Sequence, residues 1–297
     1  MFDFREIELS DKPWIDDLLA KSDYMGCEYS FANNVAWRRL SDSVISRYKD
    51  FYLISSQDED NIYLTYPAGE GDILELISEF SKYCSESGKR FVLSSITTEN
   101  LEFIKENLSD KIESIKSNPD YYDYIYNAED LINLRGKKYH SKRNHISIFK
   151  KQPWEYKELT EDLFDDCIEF ITETYNKKSD TEDYSAIVEQ FAINTFFTNF
   201  EFMNLKGGVL FQNDRIVGVT IGERLNSNTL VVHIEKALSD VNGAYPTLCN
   251  EFARANADHL KYINREEDLG IEGLRKSKHS YRPCFQLEKH SVIFKKD

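Results

Sequence analysis

The stretch DLINLRGKKYHSKRNHISIFKK, Asp130 to Lys151, divides the sequence into two parts that repeat one order of elements. Its window from Arg135 to Lys151 holds seven Lys or Arg and no acid, in a chain of 297 residues with formal charge -15. Gly136 follows Leu131, Ile132 and Leu134, the place for a glycine just past a helix end. No Gly or Pro stops a second helix between Lys137 and Lys151, and Tyr139, Ile146 and Phe149 share one stripe of it. Two roles suit this basic connecting helix, 137–151. Either its stripe docks while its charges stay solvated, or Lys137, Lys138, Lys142 and Arg143 face a phosphate, a nucleic-acid end or a carboxylate.

Before this stretch, residues 1–50 read as helices, the first entered through Asp11-Lys12-Pro13-Trp14 with Asp11 as its cap. A hairpin of Phe51–Ile54 and Ile62–Tyr66 follows. Next comes an amphipathic helix from Asp72 to Cys84, with Ile73, Leu76, Ile77 and Phe80 on one face. Strand Phe91–Leu93, helix Thr98–Leu108 and a Tyr-rich strand Tyr121–Tyr126 complete the order. After the basic stretch it recurs: helices Leu163–Tyr175 and Tyr184–Phe200, strands Gly208–Phe211 and Ile216–Gly222 paired across Asn213-Asp214, and strand Leu230–Glu235. Helix Ala244–Leu260, strand Lys261–Asn264, helix Glu266–Lys278 and a last strand from Phe285 close the second copy. The expected fold is α/β (α+β) in two tandem domains, 1–128 and 129–297, each a mixed, largely antiparallel sheet flanked by helices.

Composition narrows the function. With 41% hydrophobic and 13% aromatic residues there is enough apolar material for two cores. No run of about 18 apolar residues occurs and the first residues are neither basic nor apolar, so the expectation is no transmembrane segment, no signal peptide and a cytoplasmic location. The five cysteines are far apart and the six histidines unclustered, which gives no reason to expect a metal or a disulfide. Residues 1–128 carry net charge -12 and 129–297 net -3, so any nucleic-acid contact should come from the second part.

Three places in that part can carry chemistry. In Thr229–Glu235, TLVVHIE, strand alternation sets Val231, His233 and Glu235 on one face. Glu235 is the first candidate to take a proton from an attacking amine and His233 the second; the alternative is that the two support the structure, bonded to each other or to Lys236. Asn242-Gly243-Ala244-Tyr245 opens a helix whose N-terminus suits an anion, or is a plain capped turn. Arg265 stands at a strand end where α/β sheets bind ligands, before Glu266, Glu267 and Asp268 in a first helical turn; Arg275, Lys276, Lys278 and Arg282 form a second basic cluster.

The string LxGKKYHSKRNH, with HIEKA at 233–237, GAY at 243–245 and YINREEDLGIxGLRKSKxSYxP at 262–283, resembles the soluble domain of phosphatidylglycerol lysyltransferases. Four motifs in the same order extend the resemblance over nearly the whole chain. It implies two GNAT-like (N-acetyltransferase-like) folds in tandem, the second holding the site. It also implies that Glu235, Arg265, Asp268, Arg275 and Lys278 line the place of the aminoacyl group and its carrier, beside which Lys236 and Tyr245 are further substrate-binding candidates. Acyl-CoA-using GNAT proteins carry R/Q-x-x-G-x-G/A where this chain has only Gly243, with Pro246 close behind. The lysyltransferases also have a membrane-spanning half, and no such run occurs in this sequence. The expectation is thus an acyltransferase without cofactor, moving an aminoacyl group from aminoacyl-tRNA, whose acceptor end meets Lys137–Arg143, to a small-molecule or lipid acceptor. An acyl-CoA N-acyltransferase and a non-catalytic tandem that binds a ligand or partner are the alternatives.

Overall fold

A computed structural model describes residues 2–176 and 184–296. The chain forms two compact units: Met1–Asp123 with Glu267–Gly270 and Gln286–Asp297, and Tyr124–Glu266 with Ile271–Phe285.

In the first unit the strands run in the order Val44–Tyr48, Phe51–Gln57, Asn61–Thr65, Arg90–Ile96, His290–Phe294, Ile112–Ser117, with the two-residue strand Ala68–Gly69 beside the second. Asn61–Thr65 and Arg90–Ile96 are parallel; the other pairs are antiparallel. Asp72 accepts the backbone N–H groups of Leu74 and Glu75 and so starts helix Ile73–Glu86. That helix buries Leu76, Ile77, Phe80 and Cys84 against Leu53, Leu64, Phe91 and Leu93 of the sheet. Asp11 does not cap its helix through its side chain: the carboxylate pairs with Arg5 and accepts from Trp14 Nε1 and Glu8 N.

The second sheet has the order Phe285–Leu287, Asp123–Asn127, Tyr262–Asn264, Thr229–Ala237, Arg215–Arg224, Lys206–Gln212, Trp154–Glu158. The hairpin expected across Asn213-Asp214 is present, both residues adopting the left-handed conformation that a type I′ two-residue turn requires. Helix Ala244–Asn256 lays Cys249, Phe252 and Ala253 on Tyr126, Leu230 and Ile263, and Leu248 on Leu210 and Val217. Strands Thr229–Ala237 and Tyr262–Asn264 are parallel, and their ladder ends at Val231 opposite Asn264, while the longer strand continues six residues to Ala237.

Several expectations need correction. A division at residue 128 does not match the sheets. The Tyr-rich strand, Asp123–Asn127, pairs with Tyr262–Asn264 in the second sheet, and the last strand, His290–Phe294, lies inside the first. Strands join the sheet whose ladder and core complete them, and sequence neighbourhood does not decide which. Strands Val44–Tyr48 and Ile112–Ser117 were not anticipated. The connecting helix opens with a 3-10 turn, Lys137–Tyr139, and is α-helical only over His140–Phe149. The helix expected from Glu266 begins at Glu272. Asn264 Oδ1 accepts from Glu266 N, Asp268 Oδ1 accepts from Gly270 N, and Glu266, Leu269 and Gly270 have positive φ, so the acidic run is a loop.

Candidate active site

Where the parallel ladder stops, residues 265 and 266 turn their side chains to the long strand. Arg265 Nη2 donates to Glu235 Oε1 at 2.6 Å, and both side chains are close to nine-tenths buried. The Arg265 guanidinium lies 4.6 Å from the Tyr281 ring centroid and 5.7 Å from that of Tyr126. Burial disfavours its charge, but the Glu235 carboxylate together with the surrounding Cys249, Tyr126 and Tyr281 more than reverses this and holds Arg265 protonated. Its Nη1 is buried and has no hydrogen-bond partner among the described residues. Lys142 reaches the same Tyr281, its ammonium 3.7 Å from the ring centroid and donating to Ser280 Oγ at 2.7 Å. Burial, followed by the charge of Arg265, lowers Lys142 to about 8, so near neutrality it can give up or take a proton. The Cys249 thiol is pushed up to about 12 by burial and is no nucleophile.

One strand position back, His233 Nδ1 lies 2.9 Å from Glu266 Oε1 and Nε2 3.1 Å from Glu223 Oε1, the ring fully buried and stacked on Phe196. Burial alone would lower its pKa; the hydrogen bonds to Glu223 and Glu266 more than reverse this and raise it to about 9. His233 is thus an imidazolium with both nitrogens engaged, which removes it as a proton acceptor. It fixes the Glu266 loop to the strand and so positions Arg265.

The sequence profile described as phosphatidylglycerol lysyltransferase, C-terminal, matches residues 20–292. The chain belongs to that family. A protein of unknown function from Bacteroides thetaiotaomicron VPI-5482 is 33% identical, with a TM-score of 0.93 over 99% of this chain and 100% of that one. The L-PGS of Bacillus licheniformis is 11% identical, with a TM-score of 0.66 over 97% and 92% of the two chains. An uncharacterised protein of Mycoplasmoides gallisepticum (strain R) is 24% identical over 77% of this chain and 73% of its own length. The fold of this phosphatidylglycerol lysyltransferase C-terminal family member is a GNAT-like pair of mixed sheets flanked by helices, as the sequence motifs led one to expect. Among the described residues, no helix is long and apolar enough to cross a membrane.

The remaining expected site residues scatter in this family member. Lys278 is buried and donates to the Glu266 carbonyl at 3.1 Å, tying the loop to helix Glu272–Ser280, on which Arg275 is half-buried. Tyr245 packs on the core around Leu248, and Lys236 is half-buried on its strand. Asp268 is fully buried in the first unit, in its bond to Gly270 N. Of the basic stretch, Lys137 is exposed, Lys138 pairs with Asp130 at 2.9 Å, and Arg143 donates to the carbonyls of Leu134 and Gly136, so only Lys142 joins the Arg265 cluster. Sequence reasoning missed Tyr126, Glu223 and Glu266 as partners, although Tyr281 stood in the quoted motif. The first unit holds a second buried cluster: Lys289 Nζ lies 2.6 Å from Glu28 and 2.7 Å from Asp123, and the Cys27 sulfur lies 3.4 Å from an Asp123 oxygen and 3.3 Å from a Glu267 oxygen, to either of which its one proton can be donated. Its cationic position is filled by Lys289.

Proposed function

We propose that this chain is an acyltransferase that moves an aminoacyl group from the ester of an aminoacyl-tRNA to a small-molecule or lipid acceptor. The observation that carries this reading is the buried Glu235–Arg265 pair at the end of the parallel ladder, with one guanidinium nitrogen unpartnered. In this reading the acyl carbonyl oxygen accepts from Arg265 Nη1, which supports the negative charge that develops there. The acceptor nitrogen or oxygen forms the new bond to the carbonyl carbon, and the ester bond to the ribose oxygen breaks. The acceptor's proton passes to Glu235 or to Lys142 and then to the departing ribose hydroxyl. Transfer from ester to amine is downhill and needs chiefly positioning and charge stabilisation.

Acyl-CoA is the second reading of the donor. Against it stands the start of helix Ala244–Asn256: a Cβ on Gly243 would lie 2.3 Å from the His145 carbonyl and 2.9 Å from Phe149 Cβ. The chain itself thus covers the helix end at which a pyrophosphate would bind.

The test is discharge of radiolabelled aminoacyl-tRNA, prepared with mixed amino acids, in the presence of lipid vesicles or a small-metabolite extract, with acetyl-CoA as the parallel donor. Acceptor-dependent transfer of label from tRNA is expected, and Glu235→Gln should lower it by about a hundredfold. Transfer from acetyl-CoA alone, or undiminished transfer by Glu235→Gln, would overturn the reading.

A further inference from the structure

Helix His140–Phe149 presents Lys142 to the Arg265 cluster, and its next residue, Arg143, faces elsewhere. Arg143, Ser147 and Lys150, at helical offsets of four and three, line a basin of about 550 Å³ in the second unit, closed by Asn133, Asn250 and Arg254. Among the described residues, no carboxylate lines it.

The end of helix Ala128–Asn133 would make such a place repel anions, because its last carbonyls point outward. Here they are spoken for. Asn250 Nδ2 donates to the carbonyls of Leu131 and Ile132 at 2.6 and 2.8 Å, and Arg143 to those of Leu134 and Gly136. The nearby Glu251 is neutralised by Lys150 at 2.5 Å. Arg254 is exposed and makes no ion pair among the described residues. In a chain of formal charge -15, the lining of the basin therefore carries net positive charge, from Arg143 and Arg254 with Lys150 offset by Glu251, and has amide and hydroxyl groups beside it. Its volume falls within the roughly 300–1,000 Å³ of small-ligand sites, enough for one nucleotide.

We propose that this basin is a phosphate-ester site for the nucleotide end of the acyl donor, held by Arg254 and Arg143, with Lys150 keeping the neighbouring Glu251 from repelling it. It rests on the reading above in that the donor carries a nucleotide. Helix His140–Phe149 is then a shared wall, with phosphate on the Arg143 side and acyl chemistry on the Lys142 side. A guanidinium recognises phosphate through paired N–H groups, and the exposed Arg254 is placed to do so.

The experiment is equilibrium binding of the full chain to uncharged bulk tRNA, to CoA and to inorganic pyrophosphate, each at about 50 and about 200 mM salt. Wild type is compared with Arg254→Glu, with Arg254→Glu/Lys150→Gln, and with Lys116→Glu, a reversal of equal charge on an exposed strand of the first unit. Circular dichroism checks the fold of each. Saturable binding is expected, weakened about tenfold or more by Arg254→Glu and further in the double variant, with the tRNA salt slope reduced by at least about one; Lys116→Glu should stay near wild type. Preference for tRNA or for CoA identifies the source of the phosphate. Absence of saturable binding to all three probes, unchanged affinity in Arg254→Glu, or equal weakening by Lys116→Glu would overturn the proposal. Binding needs no turnover, so a basin that binds in a protein that transfers nothing would fault the proposed reaction and leave the site standing. Transfer activity with binding indifferent to Arg254 would do the reverse.

Discussion

Raising the pH from about 6 to about 10 should remove the charge that holds His233 between Glu223 and Glu266, and with it a measurable part of the second unit's stability. The imidazole has an ordinary pKa of 6.5 and is raised to about 9 in the fold. The folded state therefore binds this proton more tightly than the unfolded chain. The resulting stabilisation is complete below about 6.5, declines as the pH rises from there, and is gone above about 9. At 1.36 kcal/mol for each unit the difference amounts to ~3 kcal/mol, and full burial of the side chain keeps solvent from screening it. The variant His233→Gln keeps one amide donor and lacks the titration. Lys142 and the buried thiols also titrate at high pH, but they are common to both proteins. The stability of wild type minus that of the variant, from urea denaturation, should thus fall by ~3 kcal/mol between about pH 6 and about pH 10. The His233 ring resonances in NMR should titrate near 9. A difference that stays flat over this range, or a ring that titrates at or below its ordinary value, would refute the imidazolium and the positioning role drawn from it.

Two further substitutions test other parts of the fold. Lys289→Met removes the ammonium between Glu28 and Asp123, where the Lys289 side chain is only 10% exposed; a loss of ~3–5 kcal/mol in the first unit is expected in denaturation followed by Trp14 and Trp37 fluorescence. A loss below ~1 kcal/mol would mean that Glu28, whose carboxyl burial already pushes up, takes a proton instead. Gly243→Ala forces a Cβ against the His145 carbonyl at a residue with φ of +88° and should cost ~1–3 kcal/mol, read as a lowered midpoint of thermal unfolding. An unchanged midpoint would show that helix Ala244–Asn256 can move away from His145.

Local rules carried the reading wherever one segment decides its own conformation. Ile73, Leu76, Ile77 and Phe80 mark their helix by spacing alone, and Asn213-Asp214 marks its hairpin because both residue types tolerate the positive φ of a tight turn. Glu235 and Arg265 each stand out in the sequence, one on an alternating strand and the other at a strand end, but nothing in either segment joins them, and their pairing appears only in the fold. What failed was non-local. Ile112–Ser117 is mostly exposed and offers little apolar alternation, so its place at the edge of the first sheet could not be read from within it. Glu266, Glu267 and Asp268 look like a helix start because acids favour one; the side chain of Asn264 and a left-handed Glu266 divert the backbone. His233 was read as a possible base because its two carboxylate partners come from residues 10 and 33 positions away.

The position of His290–Phe294 bears on how the protein is made. That strand sits between Arg90–Ile96 and Ile112–Ser117, so the first sheet lacks an interior member until His290–Phe294 has been synthesised. The strands of this sheet made early are therefore unable to complete it when they are made, and until His290–Phe294 arrives two strand edges that belong together stand open. Such edges invite pairing with other nascent chains. The long wait for a distant segment also predicts slow closure of that sheet and a need for chaperone protection, and it makes the first unit sensitive to any truncation that removes His290–Phe294.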